Sequence, residues 1–247
     1  MAITINTVEG TDFVVVNETG APRDLVFTKP TAVASGKDIC CLIAIDASTT
    51  DATVTWTPAS DFAQLFDLTE ADANPKIALW RKRAGGSEPS SYTFSYAAAT
   101  GTLQNAIGVM WVADGADDAT FEDVAESYSD QSTGSPTCPS ITTATDGAVA
   151  FAVTAANTGQ FLNATDSIYP TGYTGMMSRV ASVSSSSPAL SIAFKTQATA
   201  GVVGAAQYSS LYSATPGCRS VSFAIRPAAG TSAIPRIMAQ RLMQMNN

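Results

Sequence analysis

Histidine is absent from this 247-residue chain. That absence removes the side chain most used as a general base near neutral pH and the commonest metal ligand, so Ser-His-Asp and Cys-His catalysis are excluded. Charge is scarce too: Asp, Glu, Lys and Arg make up 14% of the residues, against roughly 25% in ordinary soluble domains. The 21 carboxylates outnumber the 13 cations and leave a formal net charge of −8. Such a surface repels phosphate backbones, which argues against a nucleic-acid partner. No apolar stretch approaches the roughly 20 residues that cross a bilayer, and the start, Met1-Ala2-Ile3-Thr4-Ile5-Asn6, has neither basic residues nor a long apolar core. The expectation is a soluble chain without a secretory signal, made and assembled in the cytoplasm and not bound to a membrane. No Gly-rich phosphate loop is present, since Gly36-Lys37-Asp38 is only a turn. No cofactor is expected.

Cysteine is limited to Cys40, Cys41, Cys138 and Cys218, with no Cys-x-x-Cys pair and no histidine to complete a zinc site. Cys40 and Cys41 are neighbours in an apolar run, so a strand there points them to opposite faces. The cysteines read as small buried hydrophobes; a Cys138–Cys218 bridge stays open as the alternative.

What the chain has is strands. Hydrophobic residues make up 45% of it, enough for one large β domain. Period-two alternation recurs at Tyr92, Phe94 and Tyr96, at Val149, Phe151 and Val153, at Leu190, Ile192 and Phe194, and at Val221, Phe223 and Ile225. Each of these reads as a strand with one face buried. Residues 39–45 and 107–112 are apolar on both faces and belong in the centre. Further strands are expected at 12–16, 54–57 and 77–82, and one short helix at 62–71. Turn clusters lie between, such as residues 84–89 and 184–188. Many short strands at this spacing indicate an all-β, antiparallel β-sandwich, jelly-roll-like, with a short C-terminal helical or extended tail.

One pattern occurs twice, 109 positions apart. An apolar run starts nine positions after Pro30 and again nine positions after Pro139, each time just behind a turn with Gly and Asp. Each copy closes on an apolar strand, 107–112 and 221–225. The sandwich is therefore expected to consist of two related halves, 26–114 and 135–227, interleaved in one sandwich. The division is then an N-terminal arm and first strand at 1–25, the sandwich at 26–227 with an acidic connection at 115–134, and a tail at 228–247.

Lys29-Pro30 with Ala34-Ser35-Gly36, the stretch AGGSEPSSYTFSY at 84–96, SPTCPSITTATDGAVAFAV at 135–153, Gln197 to Gly201 and VSFAIRP at 221–227 together resemble a family of β-rich structural proteins encoded by tailed bacteriophages and prophages. The resemblance covers about 26–227 and consists of strand and turn motifs. One departure is Trp56, which precedes a proline where such proteins often carry a Gly-Trp pair. The resemblance implies a non-enzymatic virion component displayed on the particle surface: a capsid decoration protein or head fibre, with a major capsid or other virion protein as partner. It also implies a homo-oligomer, with a trimer expected from how such proteins assemble. The alternative is a tail fibre or a receptor- or carbohydrate-binding module that contacts a host surface glycan.

Three constellations are left for function. Asp114, Asp117, Asp118, Glu122, Asp123, Glu126 and Asp130 place seven carboxylates in 17 residues. Clustered oxygens suit Ca²⁺, but the spacing does not match the EF-hand loop, and no metal site is assigned; the stretch reads as a solvated connection. The only enzyme class left open is a carboxylate-based hydrolase. Arg81-Lys82-Arg83 reads as a charged strand end that is solvated, pairs with those carboxylates or meets an acidic partner. Tyr169, Tyr173, Tyr208 and Tyr212 lie in Gly/Ser/Thr-rich segments; Tyr169 and Tyr173 are candidates for a glycan surface, with ordinary packing as the other reading. In the tail, Ile234, Ile237, Met238, Leu242 and Met245 fall on one helical face, with Arg236 and Arg241 making it basic. These seven residues are the candidate partner-binding set, an anchoring peptide or a helix folded back on its own domain.

Overall fold

The structure, a computed structural model, describes residues 2–6, 13–16, 23–47, 53–69, 74–100, 103–157, 168–180, 188–209 and 217–229. Among them the strands are β1 (Thr4–Asn6), β2 (Phe13–Val16), β3 (Arg23–Thr28), β4 (Asp38–Ala47), β5 (Thr53–Thr57), β6 (Ala63–Leu68), β7 (Lys76–Arg83), β8 (Ser91–Thr100), β9 (Leu103–Asp114), β10 (Glu122–Ser132), β11 (Thr137–Cys138), β12 (Ile141–Thr143), β13 (Ala148–Ala156), β14 (Thr174–Val180), β15 (Ala189–Gln197), β16 (Gly201–Val203), β17 (Ala206–Gln207) and β18 (Gly217–Ile225). The fold is an all-β sandwich of antiparallel sheets.

Four layers stack on one another. The outer sheet of the first half, β3-β8-β5, covers a central sheet ordered β1-β9-β4-β7-β6, with β2 beside β1 on the edge of β9. The central sheet of the second half is ordered β10-β18-β13-β15-β14 and is capped by the short ribbons β11-β17 and β12-β16. Within each half the chain passes back and forth between central and outer layers. The two central sheets face each other across the main core, where Leu42, Leu79, Val109 and Trp111 meet Phe151, Leu190, Ile192 and Phe223. Burying one such side chain fully contributes about 1.5–3 kcal/mol.

The repeated pattern has a structural counterpart in register. Cys40, Leu42 and Ala44 of β4 pair with Trp111, Val109 and Ile107 of β9. Their counterparts 109 positions later, Val149, Phe151 and Val153 of β13, pair with Ile225, Phe223 and Val221 of β18. All twelve point into the main core, so strand order, register and facing agree between the halves. Both copies of the turn also end on a left-handed glycine, Gly36 at φ 81° and Gly147 at φ 78°, a conformation with little steric cost only for glycine.

Four expectations are corrected. Residues 62–69 form no helix, and 70 and 71 lie outside the described residues: 63–68 are β6, because Phe62 packs into the outer core with Tyr92 and Phe94 while Phe66 and Leu68 face the main core. The halves do not interleave, since each supplies a complete central sheet and its own cover. The strands β13 and β18 are buried on both faces rather than one, because their alanines and serines form a shallow surface that the β11–β12 and β16–β17 segments cover. The solvated connection at 115–134 is largely strand β10, paired with β18. Cys138 and Cys218 are free thiols, and all four cysteines are buried.

Candidate functional site

The pole where both ends of the described body meet is built around Gly115. Its φ of +86° calls for glycine, and a Cβ there would lie 2.7 Å from the Ala2 carbonyl oxygen. From the other side the Ala228 N–H donates to the Gly115 carbonyl at 2.8 Å. Ala116 and Pro227 form a bridge, Asp117 N–H donates to the Arg226 carbonyl at 2.9 Å, and Arg226 N–H donates to Phe121 at 2.7 Å. The start of β1 and the exit from β18 therefore lie against one glycine.

Charges brace the same pole. Asp38 opens β4 with a fully buried side chain; its Oδ1 accepts from Arg81 Nε at 2.7 Å, and its Oδ2 pairs with Arg83 Nη1. Arg81 continues to Asp118 at 3.1 Å and stacks over the Phe121 ring at 4.6 Å, while Lys37 meets Asp114 at 3.1 Å. A carboxylate at that depth requires such partners, because an unpaired buried charge costs several kcal/mol. Part of the acidic stretch is also paired within the body, although Asp118 stays largely exposed. Asp123 accepts from Ala144 N–H at 2.7 Å and from Arg226 Nε at 3.3 Å. Asp130 binds Arg219, which is fully buried and also donates to the Leu68 carbonyl of the other half at 2.8 Å. Burial and the neighbouring Glu126 raise the Glu122 carboxyl above its usual range. The described residues hold no group of three or more acidic, Cys or His side chains placed to bind a metal ion.

The tyrosines have different settings. Tyr208 is fully buried, and its hydroxyl donates to the Ala152 carbonyl at 2.7 Å. Tyr169 is half-buried and lies flat over Gly175, whose added Cβ would come within 2.0 Å of the ring. Tyr173 is also half-buried, with Lys195 Nζ 5.0 Å from its ring centroid, and burial followed by the nearby Cys138 pushes its hydroxyl up to about 12. Both rings pack against the cluster of small residues that covers the second half. Tyr212 and the tail residues Ile234, Arg236, Ile237, Met238, Arg241, Leu242 and Met245 lie outside the described residues.

A groove of about 480 Å³ flanks the outer sheet of the first half, with Pro58, Ser60, Asp61, Lys82, Ser91 and Thr93 among its walls. Lys82 Nζ lies 2.8 Å from Glu88 Oε2 and 3.6 Å from Asp61 Oδ2. Glu88 also accepts from Gly85 N–H at 2.7 Å and from the Tyr92 hydroxyl at 3.0 Å. Burial alone would raise the Glu88 carboxyl, but Lys82, Gly85 and Tyr92 outweigh it and hold it below its usual range. Glu88 thus stands behind the groove wall as a hydrogen-bond acceptor for Lys82. Asp61 is the one non-glycine residue at positive φ, 66°, among the described residues.

No family model matches the chain, and no curated protein matches it. A function for the chain therefore has to come from its own geometry. The groove is not legible along the sequence, because its walls come from a turn at 58–61 and a segment at 82–93 that only strand pairing brings together. The one local signal was Asp61, an acid between a proline turn and a buried aromatic.

Proposed function

We propose that the chain is a non-enzymatic structural protein of a virion, a capsid decoration protein or head fibre attached to the particle through its termini, with a major capsid or other virion protein as partner. The observation that carries this reading is the shared pole: Ala2 and Ala228 both lie against Gly115. A segment that continues past Ala228 from that pole can reach a partner surface while the four-layer body stands clear of it. The basic tail, with Arg236 and Arg241 and no carboxylate after Pro227, differs in charge from the acidic body, which fits a segment meant for another surface. The internal use of Asp38, Asp123, Asp130 and Arg219 supports a scaffold whose charges hold it together.

A chain ending at residue 229 tests the attachment. It keeps the thermal transition of the full chain, because the cores and ion pairs that hold the body are formed by residues before 229, and it loses particle binding and the full chain's solution mass as an oligomer. Unchanged particle binding together with unchanged assembly would overturn the role of the tail.

A further inference from the structure

We propose that the groove between the 58–61 turn and the 87–93 segment is a saccharide-binding site that takes one or two neutral sugar units across the Asp61–Lys82 pair. This goes beyond attachment to a particle and places the site away from Tyr169 and Tyr173. Its volume, about 480 Å³, lies in the range of small-ligand sites. A charged acceptor and a charged donor stand 3.6 Å apart, which suits two adjacent ring hydroxyls, because each hydroxyl can donate to the carboxylate and accept from the ammonium. Ser60, Ser91 and Thr93 add hydroxyl partners around this pair, and Pro58 and Pro89 supply rigid apolar wall.

The site is also set before any ligand arrives. Glu88 pins Lys82 and is itself held by Gly85 and Tyr92. The turn carrying Asp61 closes with Phe62 N–H donating to the Ala59 carbonyl at 3.3 Å, and Phe62 is anchored against Tyr92 and Phe94. The Asp61 side chain is 80% exposed on a left-handed residue, a strained conformation that concentrates at ligand sites. Fixed groups lose little entropy on binding. Two carboxylates to one ammonium disfavour anions such as phosphate or acidic sugars, which points to neutral units.

Backbone chemical-shift mapping with maltose and cellobiose, each at millimolar concentration, tests the assignment. The expected result is shifts confined to residues 58–61 and 82–93 with at least one of the two sugars, and binding weakened about tenfold in Asp61→Asn. Asn tolerates the left-handed conformation, so that variant keeps the turn. A second variant, Thr93→Trp, fills the groove from an exposed position and abolishes the shifts. Shifts from neither sugar, equal affinity in both variants, or shifts only around Tyr169 and Tyr173 would overturn the proposal. None of those results bears on particle attachment, which the chain ending at residue 229 tests separately.

Discussion

The two halves share strand order and register but fill their outer faces in opposite ways. On β4 the outward residues are Ile39, Cys41, Ile43 and Ile45; their counterparts 109 positions later on β13 are Ala148, Ala150, Ala152 and Thr154. Large residues give the first half a thick outer core, in which Trp80, Phe94 and Phe27 pack beneath a three-stranded sheet. A Cβ on Gly108 would come 2.5 Å from Phe27, so even the gap left by that glycine is filled. Small residues give the second half a shallow outer face, and short ribbons with one buried tyrosine suffice to cover it. The inward pattern therefore specifies the shared sheet, and the outward pattern decides what covers it.

Exchanging residues between the halves tests this comparison. Ile43→Ala brings the β13 residue type into β4, and it should cost about 3–4 kcal/mol in denaturant unfolding, since the fully buried site cannot collapse around the loss. A cost below about 1 kcal/mol would mean that the outer core is loosely packed.

Asp46 gives the next largest effect. It is 3% exposed, and burial pushes its carboxyl up to about 6, whereas its counterpart Ala155 is an alanine in the main core. The folded state holds this proton more tightly than the unfolded chain, so the contribution is full below the unfolded value of 3.8 and is lost as pH rises through about 6. The stability of Asp46→Ala relative to the native chain should therefore improve by up to about 3 kcal/mol between about pH 4 and about pH 8. A difference that does not change with pH would show that the carboxylate is solvated.

The reciprocal exchange, Ala152→Ile, should cost about 2 kcal/mol by overpacking beneath Tyr208, whose hydroxyl is bonded to the Ala152 carbonyl. If Ala152→Ile melts with the native chain, the second half has spare room. The smallest effect has the opposite sign. Ser191 Oγ and Ser178 Oγ are buried on that face without hydrogen-bond partners, so Ser191→Ala should be neutral or stabilise by up to about 1 kcal/mol. A loss of more than about 1 kcal/mol would reveal a partner for that hydroxyl.

The sandwich was legible because hydrophobic alternation records facing directly. The spacings after Pro30 and Pro139 located β4 and β13, and the closing runs located β9 and β18 in equivalent registers. Alanine was the weak point. At alternate positions of β13 it reads as a tolerated solvent face, yet it is also what a close-packed second cover requires. Phe62 and Phe66 mimicked helical spacing because a register shift between Gln64 and Phe66 sends one of them into each core. The acidic stretch misled for a different reason: the partners it binds, Arg226 for Asp123 and Arg219 for Asp130, lie 103 and 89 positions away. The groove was hidden in the same way, as Lys82 and Asp61 meet only through the pairing of β6 with β7.

The proposed attachment would stand a doubled sandwich on a particle by the pole at Gly115. Electron cryomicroscopy of virions assembled with this chain tests it most directly. Many copies are expected on the head, each with the Ala2 and Ala228 pole directed at the capsid and the opposite loops directed outwards. Particles without the chain, or copies whose Gly115 pole faces solvent, would contradict it.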